Sequence, residues 1–247
     1  MSVIPCFPIH NKPQISLSDL PTEDGEPLES PQHRIAMNAL IQSLKQAWSN
    51  RTDYFVGGNM FVYFSPDQEL TKDYRGPDFF VVLNTTLQKR REAWIIWEEQ
   101  GRTPDLVVEL LSKSTKHFDL NDKKAIYEQI LKTPDYFVFD PFDPDSLQGW
   151  HLVKQRYQAL LPNKHGWLWS ETLQLWLGTW EGQVEQDTGV WLRFYDSQGQ
   201  LLLLPEEQVQ RERQQKEQER QQKEFAQQQL KQLQDKLRAQ GIKIDEL

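Results

Sequence analysis

The chain has 247 residues, 38% hydrophobic and 26% charged, with a formal net charge of −8. Its length suits one large domain, or one domain with appendages. No apolar run approaches the roughly 20 residues of a membrane span, and Pro5 and Pro8 interrupt the apolar stretch nearest the start, against a signal peptide. Cys6 is the single cysteine, which excludes an internal disulfide and points to a reducing, cytoplasmic setting. The acidic balance argues against broad, nonspecific affinity for nucleic acid, which needs a basic face.

Pro5, Pro8, Pro13, Pro21 and Pro27 forbid a long helix in the first 30 residues, which read as an acidic, proline-rich arm. Ser30-Pro31 is a helix start, with serine as N-cap and proline at the first helical position. Met37, Leu40, Ile41, Leu44 and Trp48 follow at helical spacing and predict one buried face. Asp53 to Phe64 predicts a strand broken at Gly57-Gly58, with a hairpin as one option. Pro77 to Leu83 and Asp105 to Leu111 are apolar on both faces, as central strands are. Between them Arg91 to Glu99 is either a strand or a short helix. A polar loop, Ser112 to Phe118, precedes a helix that Asp119 caps and Pro134 ends; Tyr136 to Asp140 is one more buried strand. These elements predict an α/β protein, a mixed sheet flanked by helices over residues 31–147.

From Gln148 to Leu204 the texture changes. Trp150, Trp167, Trp169, Trp176, Trp180 and Trp191 sit in short β-like pieces between glycines, a β-rich extension in which tryptophans serve packing or, alternatively, base stacking. After Pro205 the chain is a tail of Gln, Glu, Lys and Arg with helical preference. Leu230, Leu233 and Leu237 are spaced for a short coiled-coil seam, so the tail is either a solvated helix or a homodimer contact.

The chemistry concentrates in two strands and the helix after them. Alternate residues of a strand share a face, so Asp78 points with Phe80 and Val82, and Glu109 with Asp105, Val107 and Leu111. A carboxylate in the middle of VVELL is costly unless a metal ion, a basic partner or a hydrogen-bond network compensates it. Lys123 and Tyr127 lie four apart on one helix face, and that helix follows the Glu109 strand closely enough for its first turns to meet the strand's carboxyl end. The bland alternative is a buried Glu109–Lys123 ion pair. Asp105 reads as a capping residue, His33 as a core-edge histidine and His117 as exposed. Lys89, Arg90, Arg91, Lys113 and Lys116 form basic clusters that serve either solvation or phosphate contacts.

The run TPDLVVELLSKSTKHFDLNDKKAIYEQILKTPDYFVFDP resembles the signature of the Uma family of restriction-endonuclease-like proteins, within the PD-(D/E)XK nuclease superfamily. The resemblance spans about residues 31–141. It combines a PD pair on one strand, a second PD with a glutamate on the next, a Ser-x-Ser-Thr loop and an Asp-x3-Lys-x3-Tyr helix. It implies a restriction-endonuclease-like core acting on nucleic acid, DNA first. The motif acids fall on Asp78 and Glu109. Leu111 stands where a lysine follows the acid in other superfamily members, and the family pattern supplies the lysine from the helix, on Lys123; Lys124 points about 100° away. An extra acid from the first helix falls nearest Glu29. The implied cofactor is Mg²⁺ or Mn²⁺, held by Asp78, Glu109 and the backbone carbonyl of Leu110.

Overall fold

Segments dense in β-branched and aromatic residues on both faces belong inside a sheet covered on both sides. The computed structural model, which describes residues 30–65, 74–87 and 89–239, puts them there. The N-terminal arm, with Cys6 and Glu29, lies outside the described residues. Six strands form the main sheet: β1 (Tyr54–Gly57), β4 (Phe79–Leu83), β6 (Leu106–Leu110), β7 (Asp135–Asp140), β8 (Asp143–Val153) and β9 (Arg156–Ala159), in the order β1-β4-β6-β7-β8-β9. Only β6 and β7 are parallel; the other neighbours are antiparallel. A parallel pair needs a crossover between its strands, and the helical run 116–131, α2, supplies it. Val107, Leu111, Phe80, Val82, Tyr136 and Val138 share one face of the sheet and pack with Tyr127 and Leu131 of α2. The fold is thus the predicted mixed α/β.

The first helix, α1 (Pro31–Ala47), begins as its sequence predicts. Ser30 Oγ accepts the His33 amide at 3.4 Å, and Ile35, Ala36, Met37, Leu40 and Leu44 are buried. The strand after it does break at Gly57-Gly58, yet no hairpin forms. β1 stays in the main sheet, while β2 (Val62–Tyr63) joins β3 (Tyr74–Arg75) and β5 (Trp94–Ile95) in a second, three-stranded sheet. Gly58 explains the break. A Cβ there would stand 2.8 Å from the Asp78 carbonyl oxygen, Ile41 Cδ1 and Met37 Sδ, so only glycine lets the chain pass between α1 and the start of β4. The 91–99 segment turns out to be a two-residue strand followed by a turn.

The change of texture at Gln148 falls inside β8, so the main sheet continues to Ala159. β10 (Leu168–Ser170), β11 (Leu175–Val184) and β12 (Asp187–Tyr195) form a third, antiparallel sheet. Its tryptophans pack. Trp191 is buried, Trp167 stacks on Tyr195 with centroids 3.8 Å apart, and Trp169 meets Trp176 at 5.0 Å. Asp135, fully buried on β7, ties this sheet to the main one. It accepts Ser170 Oγ at 2.5 Å and the Thr172 amide at 3.1 Å, and pairs with His151 Nδ1 at 2.7 Å. Beyond Leu202 a separate unit contains α3 (Pro205–Ala239), whose Leu230 and Leu233 are exposed. No helix among the described residues is long and apolar enough to cross a membrane.

Asp105 caps as expected: its Oδ2 accepts the Leu83 amide at 2.7 Å. Burial pushes its carboxyl from 3.8 up to about 6, against the Leu83 hydrogen bond and Arg102, with Asp135 adding to the rise. A raised acid gives stability that is full below its unfolded value and is lost as pH rises through the folded one. The contribution of Asp105 to stability against urea should therefore fall as the pH rises from about 4 to about 6, making the wild-type profile slope more steeply downward there than it would without this group. Asp105→Asn, which keeps an acceptor for Leu83, should flatten that slope. An unchanged slope in the variant would place its origin elsewhere.

Candidate active site

Glu109 is wholly buried in β6, and two side chains from α2 answer it. Lys123 Nζ donates to Oε2 at 3.1 Å, and the Tyr127 hydroxyl donates to Oε1 at 3.1 Å. Asp78, just ahead of β4, accepts the Leu110 amide on Oδ2 at 2.7 Å. Because β4 and β6 are antiparallel, the residue before β4 and the end of β6 arrive at the same edge, which is how a Pro-Asp pair and a glutamate 31 positions later come together. Leu110 meets Asp78 through its amide. Lys124, as expected, turns elsewhere, its Nζ 3.7 Å from the Trp150 ring centroid.

One participant was assigned another task by sequence reasoning. Asp119 does not cap α2. The helix opens at Lys116, whose amide donates to the Ser112 carbonyl, while Ser112 Oγ takes the amides of Ser114 and Thr115. The loop is therefore shorter than predicted, and Asp119 lies one turn inside the helix, buried, with Oδ1 2.9 Å from Lys123 Nζ. That oxygen is out of line for a hydrogen bond and is otherwise unpartnered. The signal was present in the Asp-x3-Lys-x3-Tyr spacing. Residues four apart on an α-helix drift by about 40° per step. Here the stretches Asp119–Lys123 and Tyr127–Leu131 are π-helical, with more residues per turn, which reduces the drift and keeps Asp119, Lys123 and Tyr127 in one ladder facing the sheet.

Charge governs the cluster. Three carboxylates surround one ammonium. Burial pushes Glu109 from 4.5 up to about 8; Lys123 pulls it down, and Asp78 and Asp119 push it further up. Asp78 is raised too, by burial first, against Lys123, the Leu110 amide and His33. For Lys123, burial alone would lower the value, but Glu109, Asp119 and Asp78 together raise it, so the amine stays charged. His33 is buried at the edge of this cluster, with Nδ1 2.8 Å from Ser30 Oγ and Nε2 3.2 Å from the Leu111 carbonyl oxygen.

Not every predicted contact is available. Lys89 and Arg91 are engaged by Glu99 at 2.7 and 2.8 Å, and Arg91 is held between the Phe55 and Trp94 rings, so neither is free for phosphate. Lys113, Lys116 and His117 are exposed around the start of α2. An open polar hollow of about 540 Å³, lined by Thr52, Asn84 and Glu98 among others, lies past the far end of β4 and includes none of the three acids.

Among the described residues, no three His, Cys, Asp or Glu side chains gather closely enough to hold a metal ion by themselves. The donor chemistry nonetheless fits a small hard cation. Carboxylates outnumber the single ammonium, Asp119 Oδ1 has the Lys123 ion pair but no hydrogen bond, and Asp78 Oδ1 accepts no hydrogen bond among the described residues. Two carboxylates, a carbonyl and retained waters form a set of the kind Mg²⁺ takes.

Comparison with known proteins settles the lineage. The family model Uma2, described as "Putative restriction endonuclease", matches residues 18–184. The chain belongs to the Uma2 family. A solved structure from Anabaena variabilis, described as a "putative nuclease belonging to DUF820", is similar over 56% of this chain and 74% of its own, at 14% identity and a TM-score of 0.41. No curated protein matches. Membership places the chain in a nuclease family, and Asp78, Glu109, Asp119, Lys123 and Tyr127 all lie within the matched residues.

Removing the ammonium strands three acids. Lys123→Met should destabilise this Uma2 protein by about 3 kcal/mol in urea at pH 7, the usual cost of breaking a buried pair. Lys124→Met should cost about 1 kcal/mol, the scale of a cation–π contact. Equal losses would mean that Lys123 is not the counter-charge of the cluster.

Proposed function

We propose that this chain is a metal-dependent endonuclease that hydrolyses phosphodiester bonds of nucleic acid, with DNA the first substrate to test, and that it acts in the cytoplasm. Family membership supports the nuclease class. The observation that carries the finer reading is the arrival of Lys123, from a helix, 3.1 Å from Glu109 although Leu111 occupies the strand position for a lysine.

In this reading Asp78, Glu109 and the Leu110 carbonyl would hold Mg²⁺ or Mn²⁺. When bound, such an ion lowers the pKa of its water and offsets charge on the phosphoryl group. The protein's own residues supply the remainder. Tyr127 holds one oxygen of Glu109, fixing its rotamer. Lys123, kept protonated by the surrounding carboxylates, acts as a donor to a phosphoryl oxygen and a positive charge beside the developing transition state. A base role for it is disfavoured by the same carboxylates. Exposed Lys113 and Lys116 would contact neighbouring phosphates.

A second reading, a nuclease-fold binding module without activity, draws on two facts: the net charge of −8, and the engagement of both Glu109 oxygens by Lys123 and Tyr127.

Linear and supercoiled DNA incubated with Mg²⁺, Mn²⁺ or chelator separate the two. Metal-dependent cleavage should appear and should fall by on the order of a thousandfold in Asp78→Ala. Glu109→Gln should abolish cleavage yet keep the melting temperature within a few degrees, because burial already favours the neutral form of this side chain. Inactivity of the wild type on every DNA and RNA form would overturn the enzyme reading.

A further inference from the structure

The tail helix α3 carries a pattern that its own unit does not use. Its sequence repeats ERQQKE at Glu212–Glu217 and again seven residues later at Glu219–Glu224, with Val209 and Leu230 standing in the same sevenfold register on either side. A lone α-helix of 3.6 residues per turn has no reason to keep a seven-residue register. A helix that winds around another does. In this register Val209, Lys216, Lys223 and Leu230 occupy the a positions, while Glu212, Glu219, Ala226 and Leu233 occupy d. Val209, Leu230 and Leu233 are 46%, 56% and 55% exposed.

The charges separate by face. On the outer positions Arg220 pairs with Glu217 at 2.7 Å and with Glu224 at 3.6 Å, satisfying the helix's own surface. On the seam, Lys216, Glu219 and Lys223 make no ion pair or hydrogen bond among the described residues, and Glu212 takes only the amide of Gln208. The seam therefore presents two ammonium groups and two carboxylates that lie four apart in sequence yet form no ion pair within the helix among the described residues.

We propose that α3 pairs with α3 of a second copy of this chain as an antiparallel coiled coil. An antiparallel pair sets each a position against a d position of its partner. Within Pro205–Leu230 one register matches every layer, leaving Leu233 beyond the overlap: Pro205 against the partner's Leu230, Val209 against the partner's Ala226, Glu212 against the partner's Lys223, and Lys216 against the partner's Glu219, each layer occurring twice by symmetry. Apolar layers close both ends and opposite charges meet in the middle. A parallel pair would instead stack Glu212, Lys216, Glu219 and Lys223 each on its own copy, four like-charge layers. The overlap runs about 39 Å, the length of 26 helical residues. This pairing is independent of the nuclease reading.

The test uses the full chain with Cys6 replaced by serine. Sedimentation should show a dimer that weakens about tenfold from 50 to 500 mM NaCl, as screened ion pairs do. Lys216→Glu with Lys223→Glu should give a monomer, and adding Glu212→Lys and Glu219→Lys to that variant should restore the dimer. Under oxidation, Val209→Cys with Ala226→Cys should cross-link, and Val209→Cys alone should not. A monomer at all concentrations, an unrestored fourfold variant, or cross-linking through position 209 alone would overturn the proposal.

Discussion

A carboxylate at full burial in the middle of a central strand is the constraint around which this domain is organised. Glu109 cannot stay charged there without a cation, and the sheet offers none, so α2 must deliver one. That requirement fixes the crossover between β6 and β7. The helix must begin close behind β6, at Lys116, and present Lys123 and Tyr127 to the same edge. It must also accept the π-helical turns that keep its polar ladder aligned while Leu131 still reaches the core. Packing and polar chemistry thus share one face of one helix. The tilted ring contact of Tyr127 with Tyr136, and the Tyr136 hydroxyl bound to the Asp119 carbonyl at 2.8 Å, join the two sets of contacts.

A lysine carried on a helix rather than on the strand affects both elements. β6 is apolar apart from Glu109, and Leu111, just past its end, packs in the hydrophobic cluster. The cost falls on α2, which carries Asp119 as a second counter-charge for the same amine. Three acids and one amine then share a site that is buried at Glu109 and Asp119 and half-buried at Asp78 and Lys123. Such an arrangement favours extra protons on Glu109 and Asp78, or an added cation.

Much of this was legible in the sequence because short-range rules govern it. Ser30-Pro31 predicts the start of α1, alternation predicts that Asp78 and Glu109 share faces with Phe80 and Val107, and four-residue spacing pairs Lys123 with Tyr127. What escaped prediction depends on long-range contacts or on local competition. Nothing near Gly57-Gly58 says that the next strand joins a different sheet, since the cause is the closeness of Met37, Ile41 and the Asp78 backbone. Asp119 looked like a cap because aspartate favours that position. Ser112 and its two neighbouring hydroxyl residues took the role first, and a buried lysine made better use of the carboxylate. Lys89 and Arg91 read as a basic surface because Glu99, their acceptor, stands 8 to 10 residues away on the far side of a strand and turn.

The delivery of the amine by a helix makes its angular position adjustable in a way that a strand residue's is not. One residue inserted between Thr115 and Asp119 would rotate everything after it by about 100°, carrying Lys123 off the carboxylates and turning Tyr127 and Leu131, which share its face, out of the core. Re-aiming the amine by a change of helix length would therefore disturb the apolar framework at the same time, so the polar centre and the core are locked to one register.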